Sequence, residues 1–396
     1  LYLAERIGTL GAARCALENF GSLSEKKRKS VLESSISRAS LEKLEAYTSV
    51  GGKEDGKVIS GWIGWLERVA RPEPWPQAGK VAELGCSEWK VSALKGKSTE
   101  IKKVKKLLGK TVGRAGPDFW NALPSVVEAF TSLAKPPPEF KTIYFELMEA
   151  LAMSDSRGGG EVNAISDLCE ASLEPGLNPE EYGELIDVLE ITWDKIKSAR
   201  YLDWAADILD LLINNPDIDQ GRLSVLAGKF LSSLGGRLSR RVPEYLWDVF
   251  EDLFGDIGRG DEIVALRPAI ETAPEQQSLE EQRVRILSGK RVGIYTLTPG
   301  VAQRFEKILS KKYPGIDVQS NQDKVCTEAL TALSKGADYL VVVTRSATHS
   351  ATGCIDDNRP GDRILRATGK GSASALARLF EAVDKDLEGN GSNQAA

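Results

Sequence analysis

"RVGIYTLTPGVAQRFEKILSKKYPGIDVQS", residues 291–320, decides the architecture of the C-terminal part of this chain. A β-branched run at 291–297 gives way to a helical stretch at 300–312 and then to a second strand-like run at 316–320. Strand, helix, strand at this spacing is the unit of a parallel sheet. Working outward, "DYLVVVT" (338–344) and "RILRAT" (363–368) supply two more strands, and helices are expected at 325–335, about 349–357 and 372–388. Right-handed crossovers then predict a parallel, doubly wound sheet with strand order 2-1-3-4.

Upstream the pattern changes. Residues 1–289 read as helical throughout, with no alternating run long enough for a sheet. In "NPEEYGELIDVLEITWDKIKSAR", Asn178 is placed to cap, Pro179 suits the first helical position, and Tyr182, Leu185, Ile186, Leu189, Trp193 and Ile196 share a face. "LDWAADILDLLIN" buries Trp204, Ile208, Leu211 and Leu212 and stops at Asn214-Asn215-Pro216; "VPEYLWDVFEDLF" repeats the idea. No fixed period emerges, so the expected fold class is α plus α/β: a solenoid-like or irregular helical bundle followed by the sheet. The expected divisions are a helical subdomain at 1–135, a second at 136–277, a linker helix at 278–289 starting on a Ser278/Glu281 capping box and ending at Gly289, the sheet at 290–388, and a disordered tail at 389–396.

At 396 residues, with 41% apolar and 28% charged residues, the chain is long enough for two or three cores. No apolar run is long enough to span a bilayer and the start "LYLAERIGTLGAARC" has no basic leader, so a cytoplasmic protein without membrane contact is expected. Its five cysteines are scattered and its single histidine is His349, which argues against a local disulfide framework and against a metal site; no cofactor is expected. The net charge is −5, yet residues 290–396 hold 15 Lys and Arg against 12 Asp and Glu, which favours an anionic ligand there.

In open α/β sheets, ligands bind beyond the carboxyl ends of the strands where the strand order reverses. The candidate ligand-binding residues are therefore Thr296, Thr298 and Gly300 after the first strand, Thr344, Arg345, Ser346, His349 and Ser350 after the third, and Lys370, Gly371 and Ser372 after the fourth. Helix N-termini at this rim carry unpaired N–H groups that favour an anion. The stretch "KGADYLVVVTRSATHSAT", with "GKGSASALARLFEAV" after it, resembles the bacterial domain-of-unknown-function family 2325. Thr344, His349, Ser350, Gly371 and Ser372 carry the likeness, whereas Thr296-Leu297-Thr298 departs from it. The resemblance implies a small Rossmann-like domain, here appended to a helical body of the kind found in bacterial genome-defence or DNA-modification gene clusters.

His349 has three readings: a helix cap, a ligand contact, or a general acid or base. No nucleophile or carboxylate is tied to it by sequence. "TGKGSAS" lacks the spacing of a phosphate-binding P-loop, and "VSALKGKSTE" lacks its first glycine. Lys95, Lys97, Lys102, Lys103, Lys106 and Lys110, with Arg237, Arg240 and Arg241, form candidate nucleic-acid contacts, against the simpler reading of solvated helix faces. Three tryptophans in "GWIGWLERVARPEPWP" are candidates for a partner anchor. Together these features lead us to expect a noncatalytic or regulatory subunit of a bacterial defence or DNA-processing assembly that binds other protein subunits, with nucleic acid a further candidate partner. The alternatives are a phosphate-directed enzyme acting on nucleotide or nucleic acid through His349, Arg345 and Lys370, and a DNA-binding accessory protein.

Overall fold

A computed structural model describes residues 16–17, 19–33, 41, 53–54, 57–59, 61–112, 117–133, 135–154, 159–215, 219–234, 242–267, 274–344 and 347–394. The chain divides into two compact units, residues 1–176 and 177–396.

The first unit is helical: α1 (Glu25–Leu32), α2 (Gly61–Val69), α3 (Ala78–Glu88), α4 (Ser98–Val112), α5 (Pro117–Thr131), α6 (Lys141–Met153) and α7 (Gly159–Leu173). It also holds a short antiparallel ladder that the sequence did not suggest, β1 (Lys53–Glu54) against β2 (Lys57–Val58). The tryptophans proposed as a partner anchor lie inside this unit, because a large ring between helices gains more from burial than from exposure. Trp65 is wholly buried with its indole N–H donating to the Ala78 carbonyl at 3.0 Å. Trp62, also buried, donates to the Trp89 carbonyl at 2.9 Å and meets the Trp65 and Trp89 rings edge-on.

The second unit begins with α8 (Pro179–Ile196), α9 (Leu202–Ile213), α10 (Gln220–Leu234), α11 (Glu244–Asp256), α12 (Gly260–Leu266) and α13 (Pro274–Leu287). Asn178 caps α8 as expected, and with Glu181 it completes a capping box: its side chain accepts from the Glu181 N–H, and the Glu181 carboxylate accepts from Asn178 N–H, both at 2.9 Å. Helix α13 starts at Pro274, so Ser278 falls inside it and does not cap it; proline, with no N–H to lose, opens the helix four residues earlier. Gly289, at φ +74°, makes the turn that follows.

The sheet is β3 (Arg291–Tyr295), β4 (Asp317–Asn321), β5 (Tyr339–Val343) and β6 (Ile364–Ala367), all parallel in the spatial order β4-β3-β5-β6, the expected 2-1-3-4. Its crossovers are α14 (Pro299–Lys312), α15 (Glu328–Gly336) and α16 (His349–Asn358), and α17 (Ser372–Gln394) follows. One face forms a core of Tyr295, Leu340, Val342 and Ile364 with Leu330 and Leu333 of α15 and Ala351, Cys354 and Ile355 of α16. Strand alternation turns Val341 and Val343 to the other face, where α14 and α17 lie.

Two expected boundaries differ. Helix α17 runs on to Gln394 where a tail was expected from 389. The division expected at 277–289 lies inside the second unit, because α17 packs against α9, α11 and α13 as well as against the sheet.

Candidate functional site at the carboxyl rim of the sheet

Three strand ends meet the rim, and each is engaged differently. After β3, Thr296 is buried and its Oγ1 accepts the Thr298 N–H at 3.2 Å, tightening the turn into α14. A Cβ on Gly300 would overlap the carboxamide of Asn214, the residue that ends α9, so glycine is required here by close approach. After β5, Thr344 donates to the Ala367 carbonyl at 3.4 Å. Arg345, Ser346 and the His349 side chain lie outside the described residues. His349 is the first residue of α16, whose cap is Thr348: its Oγ1 accepts from the Ala351 N–H at 3.3 Å and donates to the Lys324 carbonyl at 2.6 Å. Ser350 is exposed.

The end of β6 is the most elaborate. From the turn after β6 into the first turn of α17, the Lys370 and Ser374 N–H groups donate to the two oxygens of Asp207, each at 3.2 Å, and the Ser372 N–H donates to Asp210 at 2.9 Å. Both carboxylates come from α9. A Cβ on Gly369 would overlap the Asp207 carboxyl and one on Gly371 would stand 2.5 Å from it, which accounts for both glycines. The Ser372 hydroxyl is buried without a hydrogen-bond partner among the described residues. The start of α17 does attract negative charge, as a helix N-terminus should, but the charge belongs to the chain itself.

The electrostatics follow from burial. Desolvation pushes the Asp207 carboxyl up to about 7; hydrogen bonds from Ser374 and Gly371 oppose the shift and the charge of Asp210 adds to it. Asp210 has a cation, Arg304 of α14, whose guanidinium also holds Asp252 at 2.8 Å and Asp256, both from α11. Burial works against the Arg304 charge, and the three carboxylates outweigh it, so its pKa is raised. Nearby, burial lifts Asp203 to about 6 although Tyr245 donates to it at 2.9 Å. The rim is thus a polar joint in which α9 and α11 meet the starts of α14 and α17.

Asp207 and Asp210 escaped the sequence reading. They sit three residues apart in "LDWAADILDLLI", where Trp204 to Leu212 is buried apart from Leu211. Carboxylates inside a helix apolar nearly all round need buried partners, and that was the available signal.

The lysine strip lies on α4 of the first unit. Ile101, Val104 and Leu108 are buried, while Lys102, Lys103, Lys106 and Lys110 on the helix, and Lys95 and Lys97 before it, are exposed. Lys103 pairs with Glu67 and Lys97 with Glu100, at 2.5 and 3.5 Å; Lys95, Lys102, Lys106 and Lys110 have no ion-pair partner among the described residues. Arg237, Arg240 and Arg241 lie outside the described residues.

The fold and rim define a helical protein with a Rossmann-like parallel sheet. Residues 1–378 match the profile described as DpdD-like, and the chain belongs to that family, which comes from bacterial DNA-modification, defence-associated gene clusters. The match takes in the sheet as well as the helices. No curated protein and no solved structure matches the chain. No helix among the described residues is long and apolar enough to cross a membrane.

Proposed function

We propose that this chain is a noncatalytic component of a cytoplasmic DNA-modification assembly, holding partner proteins through its helices and nucleic acid through the α4 lysines. Family membership supports the setting. The observation that carries the noncatalytic reading is the engagement of the α17 N-terminus by Asp207 and Asp210. An enzyme acting on phosphate through Lys370 needs those donors free for the charge that develops on its substrate. Here they join α9 to the sheet.

The lysines supply the nucleic-acid part of the reading: Lys102, Lys106 and Lys110 follow one another at four-residue spacing on an exposed face. Each phosphate neutralised on duplex DNA contributes about −0.9 to the slope of log K against log salt. Replacing Lys102, Lys103 and Lys106 by Glu should therefore weaken duplex binding by the full chain and flatten its salt slope by up to about 3. An unchanged slope and affinity would assign the strip to ordinary solvated surface, and nucleotide turnover by the purified chain would overturn the noncatalytic reading.

A further inference from the structure

The sequence offers no local cysteine pair, yet the fold brings Cys326 and Cys354 together as a disulfide with Cα atoms 5.4 Å apart. Cys326 belongs to the exposed 322–327 segment between β4 and α15, while Cys354 is buried in α16. That segment is fastened at two more points of the same rim: its Asp323 carbonyl accepts from the Tyr295 hydroxyl at 2.9 Å and its Lys324 carbonyl from Thr348 at 2.6 Å. Thr348 caps the helix that opens on His349. The bond therefore closes a strap over the α16 side of the rim, beside the Thr348 cap.

We propose that Cys326–Cys354 is a reversible redox clasp that sets the freedom of the 322–327 segment and of the first turn of α16. The exposed Cys326 sulfur is the point of attack. A thiolate from a small-molecule or protein dithiol bonds to it, and the Cys326–Cys354 bond breaks with Cys354 leaving as a thiolate that takes up a proton. The second thiolate of the reductant then displaces Cys326, so that one dithiol becomes a disulfide and the protein gains two thiols. After reduction Cys354 keeps its place in the apolar face beside Ile355 and Ala351, and the strap is held across the rim by the Tyr295 and Thr348 hydrogen bonds. The other described cysteines do not compete: Cys169 is buried, and burial of Cys86 beside Glu128 and Glu83 pushes its thiol up to about 11.

The test uses the full chain, oxidised and after dithiothreitol, with alkylation mapped by peptide mass and amide exchange followed in 322–327 and 347–354. Reduction should make Cys326 alkylate at least tenfold faster than Cys86 or Cys169 and raise exchange in both segments. Oxidised glutathione should reverse both changes. Cys326→Ser, a surface change that spares the core, should exchange like the reduced protein under all conditions. Exchange that ignores reduction would overturn the proposal, and so would thiols that remain free in oxidised glutathione.

Discussion

Two helices start at the same rim of one sheet, and they are capped in opposite ways. Helix α16 is capped by its own neighbour in sequence, Thr348, whose hydroxyl accepts the Ala351 N–H. Helix α17 is capped from 162 to 167 residues away, by Asp207 and Asp210. A local cap costs little chain entropy and stabilises one helix. A remote cap stabilises nothing until α9 has docked, so it makes the sheet and the helices of residues 177–287 a single unit. It also brings a fully buried carboxylate, Asp207, with no cation of its own among the described residues, against glycines that leave room for it.

The largest expected effect on this comparison lies at Arg304. Arg304→Ala takes the guanidinium from Asp210, Asp252 and Asp256; Asp252 keeps Lys307 and Asp256 is exposed, but the fully buried Asp210 is left without a cation, which should cost about 3–5 kcal/mol in chemical denaturation of the full chain. A loss below about 1 kcal/mol would mean that α9 and α11 are not joined to the sheet through this residue. Glycine substitutions sharpen the contrast. Gly371→Ala drives a Cβ to within 2.8 Å of the α9 backbone and should cost about 2 kcal/mol or more, whereas Gly353→Ala, inside α16 and facing open space, should stabilise by about 0.5–1 kcal/mol. Equal signs at the two sites would erase the difference between the helices. Of the destabilising changes the smallest is expected of Thr348→Ala, about 1 kcal/mol with no change in the exchange of α9, because its partners lie in α16 and the 322–327 segment.

The same contrast explains what the sequence revealed. The four strands and the helices between them were legible to within a few residues, since β-branched runs such as "DYLVVVT" and helical periodicity are local signals. The strand order followed from crossover handedness. The Asn178 cap was legible for the same reason, as cap and helix start lie within four residues. Gly289 was legible as the turn that follows a helix, because a turn is local, while the burial of Leu376, Leu379 and Phe380 on α17 depends on elements far away in sequence. The glycines and Ser372 of the last turn were recognised as an anion cradle. Its occupants were hidden in a helix whose aspartates looked like ordinary polar positions, and Cys326 and Cys354 were hidden by a separation of 28 residues.

The central claim, that Asp207 fills the cradle at the start of α17, is tested most directly by a pH titration of the backbone amides of Lys370 and Ser374 by NMR in the full chain. A carboxyl lifted to about 7 in the fold and ionising near 3.9 when unfolded binds its proton more tightly in the native state. Its contribution to stability is thus present at about pH 4 and lost as pH rises to about 7, a trend that Asp207→Asn should remove. In the titration, both amide resonances should shift together with a midpoint near pH 7 in the native sequence and stay still in Asp207→Asn. Amides that do not titrate, or that titrate equally in the variant, would show that Asp207 is not their acceptor and would contradict the remote cap.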